Sequence, residues 1–353
     1  MWRRIANIAL AVSIWAAIAA YVIYSAILVS RHNQEQNVER LNIEIVDSTA
    51  KGQLITSQRV REMLLERGIA TINTNVDRVD TKAIKSMICD EGFVDRVGIY
   101  ASYSGTLHIR ISQRKPLFRL MCDGYNCYIT ADGYIFSSPE HAALHVPVVS
   151  GSYAPLFKAE YEGTIEDVLA AHIEAAEEQI RTIGRGAAPI LERQEFWVER
   201  RKAVRDSTIA ERAERKRLYR YIDGHLRDCR RALEDIETQQ RAVEQQIVKT
   251  SERFSEFMLF IEFIAHIESD RFWRAEVVQI VTSTTSDGRL AITLIPRSGN
   301  HRILFGDLDR WAEKMAKLHI FYDKVAPTCG WDSYKTVDLS YADTIVCTYN
   351  EEN

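Results

Sequence analysis

The chain has 353 residues, 46% of them hydrophobic, enough to bury the cores of two modest domains. Its 45 Lys/Arg and 49 Asp/Glu leave a formal charge of -4. No basic run stands without interleaved acids, which excludes a nucleic-acid binder as the natural reading.

In chain order, residues 5–29 are free of charge, with Asn7, Ser13 and Ser25 as their polar positions. At about 1.5 Å per residue such a stretch can cross a hydrocarbon core of about 30 Å, so it predicts a transmembrane helix. A cleaved signal would carry an apolar region about half as long. Arg3 and Arg4 lie in a four-residue tail before it, and Glu35 and Glu39 follow it. That asymmetry predicts a single-pass inner-membrane protein with a cytoplasmic N-terminus and a periplasmic bulk. Residues 30–40 read as a polar stalk.

Residues 41–115 predict a small α+β domain. Leu41, Ile43 and Ile45 alternate with polar neighbours as a half-buried strand does. Thr56 is placed to cap a helix with Val60, Met63 and Leu64 inside, stopped by Gly68. Asp80 is placed to cap a second helix carrying Ile84, Met87 and Ile88. Val97, Ile99 and Ala101, a Ser104-Gly105 turn, then Leu107, Ile109 and Ile111 form a hairpin. The order is β-α-α-β-β.

After Pro116 short strands alternate with Asp123-Gly124 and Asp132-Gly133 turns as far as residue 157. Residues 158–250 differ: 18 Lys/Arg face 19 Asp/Glu, with one proline, Pro189. Leu218, Ile222, Leu226, Cys229, Leu233 and Ile236 step by three and four, and the register runs on to Ile264. With an earlier helix from Ile165 to Ile183, this predicts a helical hairpin inserted into the strand-rich domain. That domain resumes over 251–349, before a short tail at 350–353. Asp307 is expected to cap a helix with Trp311, Met315 and Leu318 inside.

Two constellations invite chemistry. Cys122 and Cys127, with His141 and His145, have the spacing of a two-Cys, two-His zinc site. The same two cysteines flank a four-residue turn, so a cross-hairpin disulfide is the stronger reading in an oxidising compartment. Serine, paired-carboxylate and phosphate-loop motifs find no support. The expectation is no catalytic residue, no cofactor, no resident metal and no enzyme.

The β-α-α-β-β order resembles a POTRA (polypeptide-transport-associated) domain. The exit Ser112-Gln113-Arg114-Lys115-Pro116 resembles that of the bacterial cell-division family FtsQ/DivIB. Leu304-Phe305-Gly306-Asp307-Leu308 with Lys314 and Leu318 is similar to that family's strand-to-helix motif. Val337-Asp338-Leu339-Ser340-Tyr341 is similar to its closing V-D-L-R-Y, with Ser340 in place of arginine. The expected fold class is therefore α+β: one transmembrane helix, a POTRA-like domain, and an FtsQ-type β domain split by the helical insertion.

The resemblance implies a non-catalytic divisome scaffold at the division septum. It would hold bitopic coiled-coil division proteins of the FtsB/FtsL type and help control the septal peptidoglycan synthesis machinery. The expected partner-binding residues lie on the C-terminal strand: Tyr341, Thr344, Ile345, Val346 and Thr348. The alternatives are a POTRA-bearing envelope transport or assembly factor and a periplasmic zinc-binding protein.

Overall fold

A computed structural model describes residues 14–26, 37–46, 52–122, 124–139, 144–207 and 211–350. The chain is α+β, but the expected membrane span needs correction. Within the 5–29 stretch the described residues, 14–26, are helical and are labelled α1. No helix among the described residues is long and apolar enough to cross a membrane. Arg3, Arg4 and the rest of the 5–29 stretch lie outside the described residues.

Two compact units form, one from 1–116 with 136–146, the other from 117–135 with 147–353. The first holds β1 (Arg40–Ile45), α2 (Ser57–Glu66), α3 (Thr81–Cys89), β2 (Val94–Ala101) and β3 (Thr106–Gln113). Its sheet runs β1-β3-β2, with β1 parallel and β2 antiparallel to β3. The hydroxyl of Thr56 accepts the Arg59 N–H at 3.2 Å, and the Asp80 carboxylate accepts the Ala83 N–H at 2.8 Å. Both helices thus start on a side-chain cap, which contributes about 1 kcal/mol each. Val60, Met63, Leu64, Ile84, Met87 and Ile88 of the helices are buried, as are Leu107, Ile109 and Ile111 of the central strand. Burial of each such side chain stabilises by about 1.5–3 kcal/mol.

The second unit is built on a long mixed sheet in the order β13-β12-β11-β10-β9-β7-β4-β5-β6-β8. β4 (Pro116–Cys122) opens on the proline, where a missing N–H costs the ladder least. β5 (Cys127–Thr130), β6 (Tyr134–Ser137), β7 (Val148–Gly151) and β8 (Gly163–Thr164) follow. β7 lies parallel to both β4 and β9 (Val277–Thr284). Gly151, at φ 123°, lets that packing happen: a Cβ there would sit 1.8 Å from the Thr282 carbonyl oxygen. β10 (Leu290–Pro296), β11 (Arg302–Gly306), β12 (Tyr334–Asp338) and β13 (Val346–Tyr349) complete the sheet.

Three helices form the hairpin-like arm. α4 (Ile165–Arg185) and α5 (Ala188–Asp206) lie in turn along α6 (Arg212–Ser269). The sequence reading lacks α5, because its apolar residues are spread around the helix rather than gathered in a stripe. Nor does α6 break near residue 250. It carries Phe257, Phe260, Ile261, Phe263, Ile264 and Ile267 straight into the sheet's core, where Ile165 and Val168 from the start of α4 join them. Short α7 (Arg271–Glu276), α8 (Trp311–Ile320), a π-helical turn (Phe321–Val325) and α9 (Ala326–Cys329) complete the unit.

Candidate functional site

Among the described residues the C-terminal strand forms one end of the sheet and pairs with β12 alone. Its register is antiparallel, with Val337 opposite Cys347 and Asp338 opposite Val346. Two hydrogen bonds orient the backbone. The Asn350 N–H donates to Ser333 O at 3.0 Å, and the Leu339 N–H donates to Leu304 O at 2.9 Å on the far side of β12. Alternation from these points turns the amides of Val346 and Thr348 towards β12. Those of Cys347 and Tyr349 face the open edge.

Side chains alternate in the other sense. Val346 and Thr348 are exposed on one face, and the Thr348 hydroxyl bonds that of Thr336. On the opposite face Tyr349 packs on Tyr334, with centroids 5.1 Å apart, and Tyr334 packs on Phe321. Burial, with the nearby Cys329 adding, raises the pKa of the Cys347 thiol. Thr344 and Ile345 precede the strand, Thr344 exposed and Ile345 half-buried against the core. Tyr341 is exposed in the loop before them.

The two sequence motifs meet here and hold that loop. Lys317 on α8 donates to the carbonyls of Tyr341 at 2.6 Å and Ala342 at 3.1 Å. Gly306, at φ 75°, ends β11, and a Cβ on it would stand 3.1 Å from the Ser340 hydroxyl. Asp307 does not cap α8, as expected from sequence. The helix begins behind Arg310 in the left-handed region, without a side-chain cap. Asp307 accepts instead from Lys314 at 2.7 Å, on both its carboxylate and its carbonyl. Burial pushes the Asp307 carboxyl up, but the hydrogen bond and charge of Lys314, the Asp309 N–H and the charge of Arg289 outweigh it. Its pKa ends below the usual carboxylate range. Lys314 is itself buried over the Phe305 ring, 5.4 Å from its centroid.

Cys122 and Cys127 flank the β4–β5 turn, and both are buried. Cys122 Sγ lies 3.9 Å from the Thr282 hydroxyl. Burial, with Cys122 adding, pushes the Cys127 thiol up to about 12, which makes it a poor nucleophile. His141 of the zinc reading lies outside the described residues. Among the described residues no group of three or more His, Cys, Asp and Glu is placed to hold a metal ion.

Sequence reasoning missed one buried polar cluster. Glu276 accepts from the Ser298 N–H at 3.1 Å and from its hydroxyl, and His301 Nε2 lies 3.1 Å from the Tyr322 hydroxyl. Burial, then the charge of Glu276, raises the Tyr322 pKa. Burial lowers that of His301, against weaker opposing contributions from the Trp331 backbone, Glu276 and Asp332. These residues span 276 to 322 with no recurring spacing, so no motif could announce them. Trp273 and Phe272 pack edge-on to the Tyr322 ring, and the cluster serves to tie α7 to the π-helical turn.

Comparison with known families decides the assignment. Residues 234–348 match the model described as FtsQ/DivIB, C-terminal related, and residues 36–112 match a POTRA-like domain. The chain carries an FtsQ/DivIB-related C-terminal domain and a POTRA-like domain. Both domains fit a cell-division protein. The POTRA-like match covers β1 to β3, and the FtsQ/DivIB match runs from within α6 into β13. A search among curated proteins finds no match.

Proposed function

We propose that this FtsQ/DivIB relative is a non-catalytic scaffold of the division site. In this reading it holds bitopic coiled-coil division proteins of the FtsB/FtsL type and thereby helps control septal peptidoglycan synthesis. The observation that carries the reading is the open edge of β13, where the amides of Cys347 and Tyr349 face away from β12. An incoming strand can pair with them main chain to main chain, while exposed Val346, Thr348 and Tyr341 supply selectivity.

The test uses two prolines. Cys347→Pro removes an outward donor and leaves the β12 ladder bonds of Val346 and Thr348 in place. Val346→Pro removes an inward donor and loosens β13 itself. The expected outcome is that Cys347→Pro keeps its circular dichroism spectrum yet loses its FtsB-like partner in pull-down from dividing cells. A folded Cys347→Pro that retains the partner overturns the edge as the docking site.

A further inference from the structure

The arm has two electrically opposite halves. Its far half, residues 188–231, comprises α5 and the start of α6 and holds 13 Lys/Arg against 8 Asp/Glu. Its near half, residues 165–187 and 232–250, holds 4 Lys/Arg against 9 Asp/Glu. The net charges are equal and opposite. The contacts along the arm fix which residues lie in which half. Trp197 stacks on His225 at 4.2 Å and Arg201 pairs with Asp223 at 3.1 Å, both in the far half. In the near half, the Gln240 amide donates to Ile180 O at 3.4 Å.

The inner seam of α6 is already filled by α4 and α5, through Ile222, Cys229 and Val243 among others. The outer faces are not. Lys216, Arg220, Arg227 and Arg231 are all exposed and fall within about 60° on the side of α6 away from that seam. Glu174, Glu234 and Asp235 are exposed in the near half. Large apolar side chains are also uncovered: Leu191, Phe196, Val198 and Tyr221 in the far half, Val248 in the near half.

We propose that the arm is a dimerisation element whose partner is the arm of a second copy of this chain, laid antiparallel about a two-fold axis. Each half is about 30 Å long at the helical rise, so the two halves match in length as well as in charge. A two-fold turn places each basic half on the partner's acidic half, and the same surface serves both copies. A uniformly anionic partner, such as a lipid surface, would attract the far half and repel the near half. A second copy satisfies both. Two arms in contact over about 60 Å by 10 Å bury about 1,200 Å² in total, at the low end for specific interfaces. The dimer is therefore weak and sensitive to salt.

The test is sedimentation velocity on the full-length chain, dispersed in a non-ionic detergent, at about 0.05 M and 0.5 M salt, which shortens the screening length several-fold. The wild type is expected to dimerise at low salt, with affinity falling at least about tenfold at high salt. Two charge-reversed sets follow: Lys216→Glu with Arg220→Glu and Arg227→Glu, and Glu174→Lys with Glu234→Lys and Asp235→Lys. Each set alone is expected to stay monomeric, and an equimolar mixture to form the mixed dimer. Rescue on mixing also shows that both variants fold. A wild type that is monomeric throughout overturns the proposal and leaves the basic half to an anionic partner. A mixture that fails to rescue overturns the antiparallel arrangement, as does either set dimerising as the wild type does.

Discussion

Gly151 and His301 each show a single position set by what lies against it. At Gly151 a methyl group would meet the Thr282 carbonyl oxygen at 1.8 Å, and the backbone already sits at φ 123°. Gly151→Ala must therefore separate β7 from β9 and is expected to cost about 3 kcal/mol or more, read as a lower urea midpoint. His301 speaks through pH. Its native pKa lies below the unfolded value near 6.5 because burial disfavours the cation. Its contribution is complete above about pH 6.5 and declines as the pH falls towards the native pKa. The urea midpoint should drop between about pH 7 and pH 5, and His301→Gln should flatten that limb. An unchanged limb would remove His301 as its source. Neither position could be weighed from sequence: the glycine closing the Val148–Gly151 run was visible, its neighbour Thr282 was not. Asp307 misled for a related reason. A carboxylate ahead of an apolar stripe reads as a cap, and the sequence does not show Lys314 reaching back to claim it.

At the scale of elements, alternation and caps were readable where one face alone is buried. β1, β3 and the helices starting at Thr56 and Asp80 stand where the spacing put them. The strand ending the chain begins at Val346, two residues later than Thr344, because Ile345 turns towards the core before pairing starts. α5 was invisible, since its apolar residues are spread around the helix and Leu191, Phe196 and Val198 are left exposed. α6 carries Gly224 in its interior, where a Cβ would meet nothing within 4 Å. Gly224→Ala is therefore expected to stabilise the arm by about 0.5–1 kcal/mol, seen as a later loss of helical dichroism on heating. A loss of stability would mean that the glycine is needed for close packing.

At the scale of the whole molecule, the chain's apolar N-terminal stretch was legible, but no helix among the described residues is long and apolar enough to cross a membrane. The arm can be separated from the core by cutting where its two sides meet. His172 and Ala176 of α4 line one small cavity with Gln246 and Thr250 of α6. Replacing residues 174–248 by a short Gly/Ser link should leave Ile165, Val168 and Phe257 to Ile267 packed as before. Cooperative unfolding with a midpoint within about 5 °C of the parent is expected, and a broad transition would make the arm part of the core.

One more property follows from the unbroken course of α6. Its 58 residues extend about 87 Å, with the last part clamped among the phenylalanines of the core and the rest lying along the arm. Such a rod is a lever without a hinge. A tilt of about 5° at the clamp moves a point about 60 Å away by about 5 Å. Force applied near Arg212 is likewise delivered, with little lost to bending, to Phe260 and Phe263 under the sheet. Tension between neighbouring molecules would thus be felt in the packing beneath β4 and β11, a mechanical channel that single-molecule pulling through residue 212 can measure.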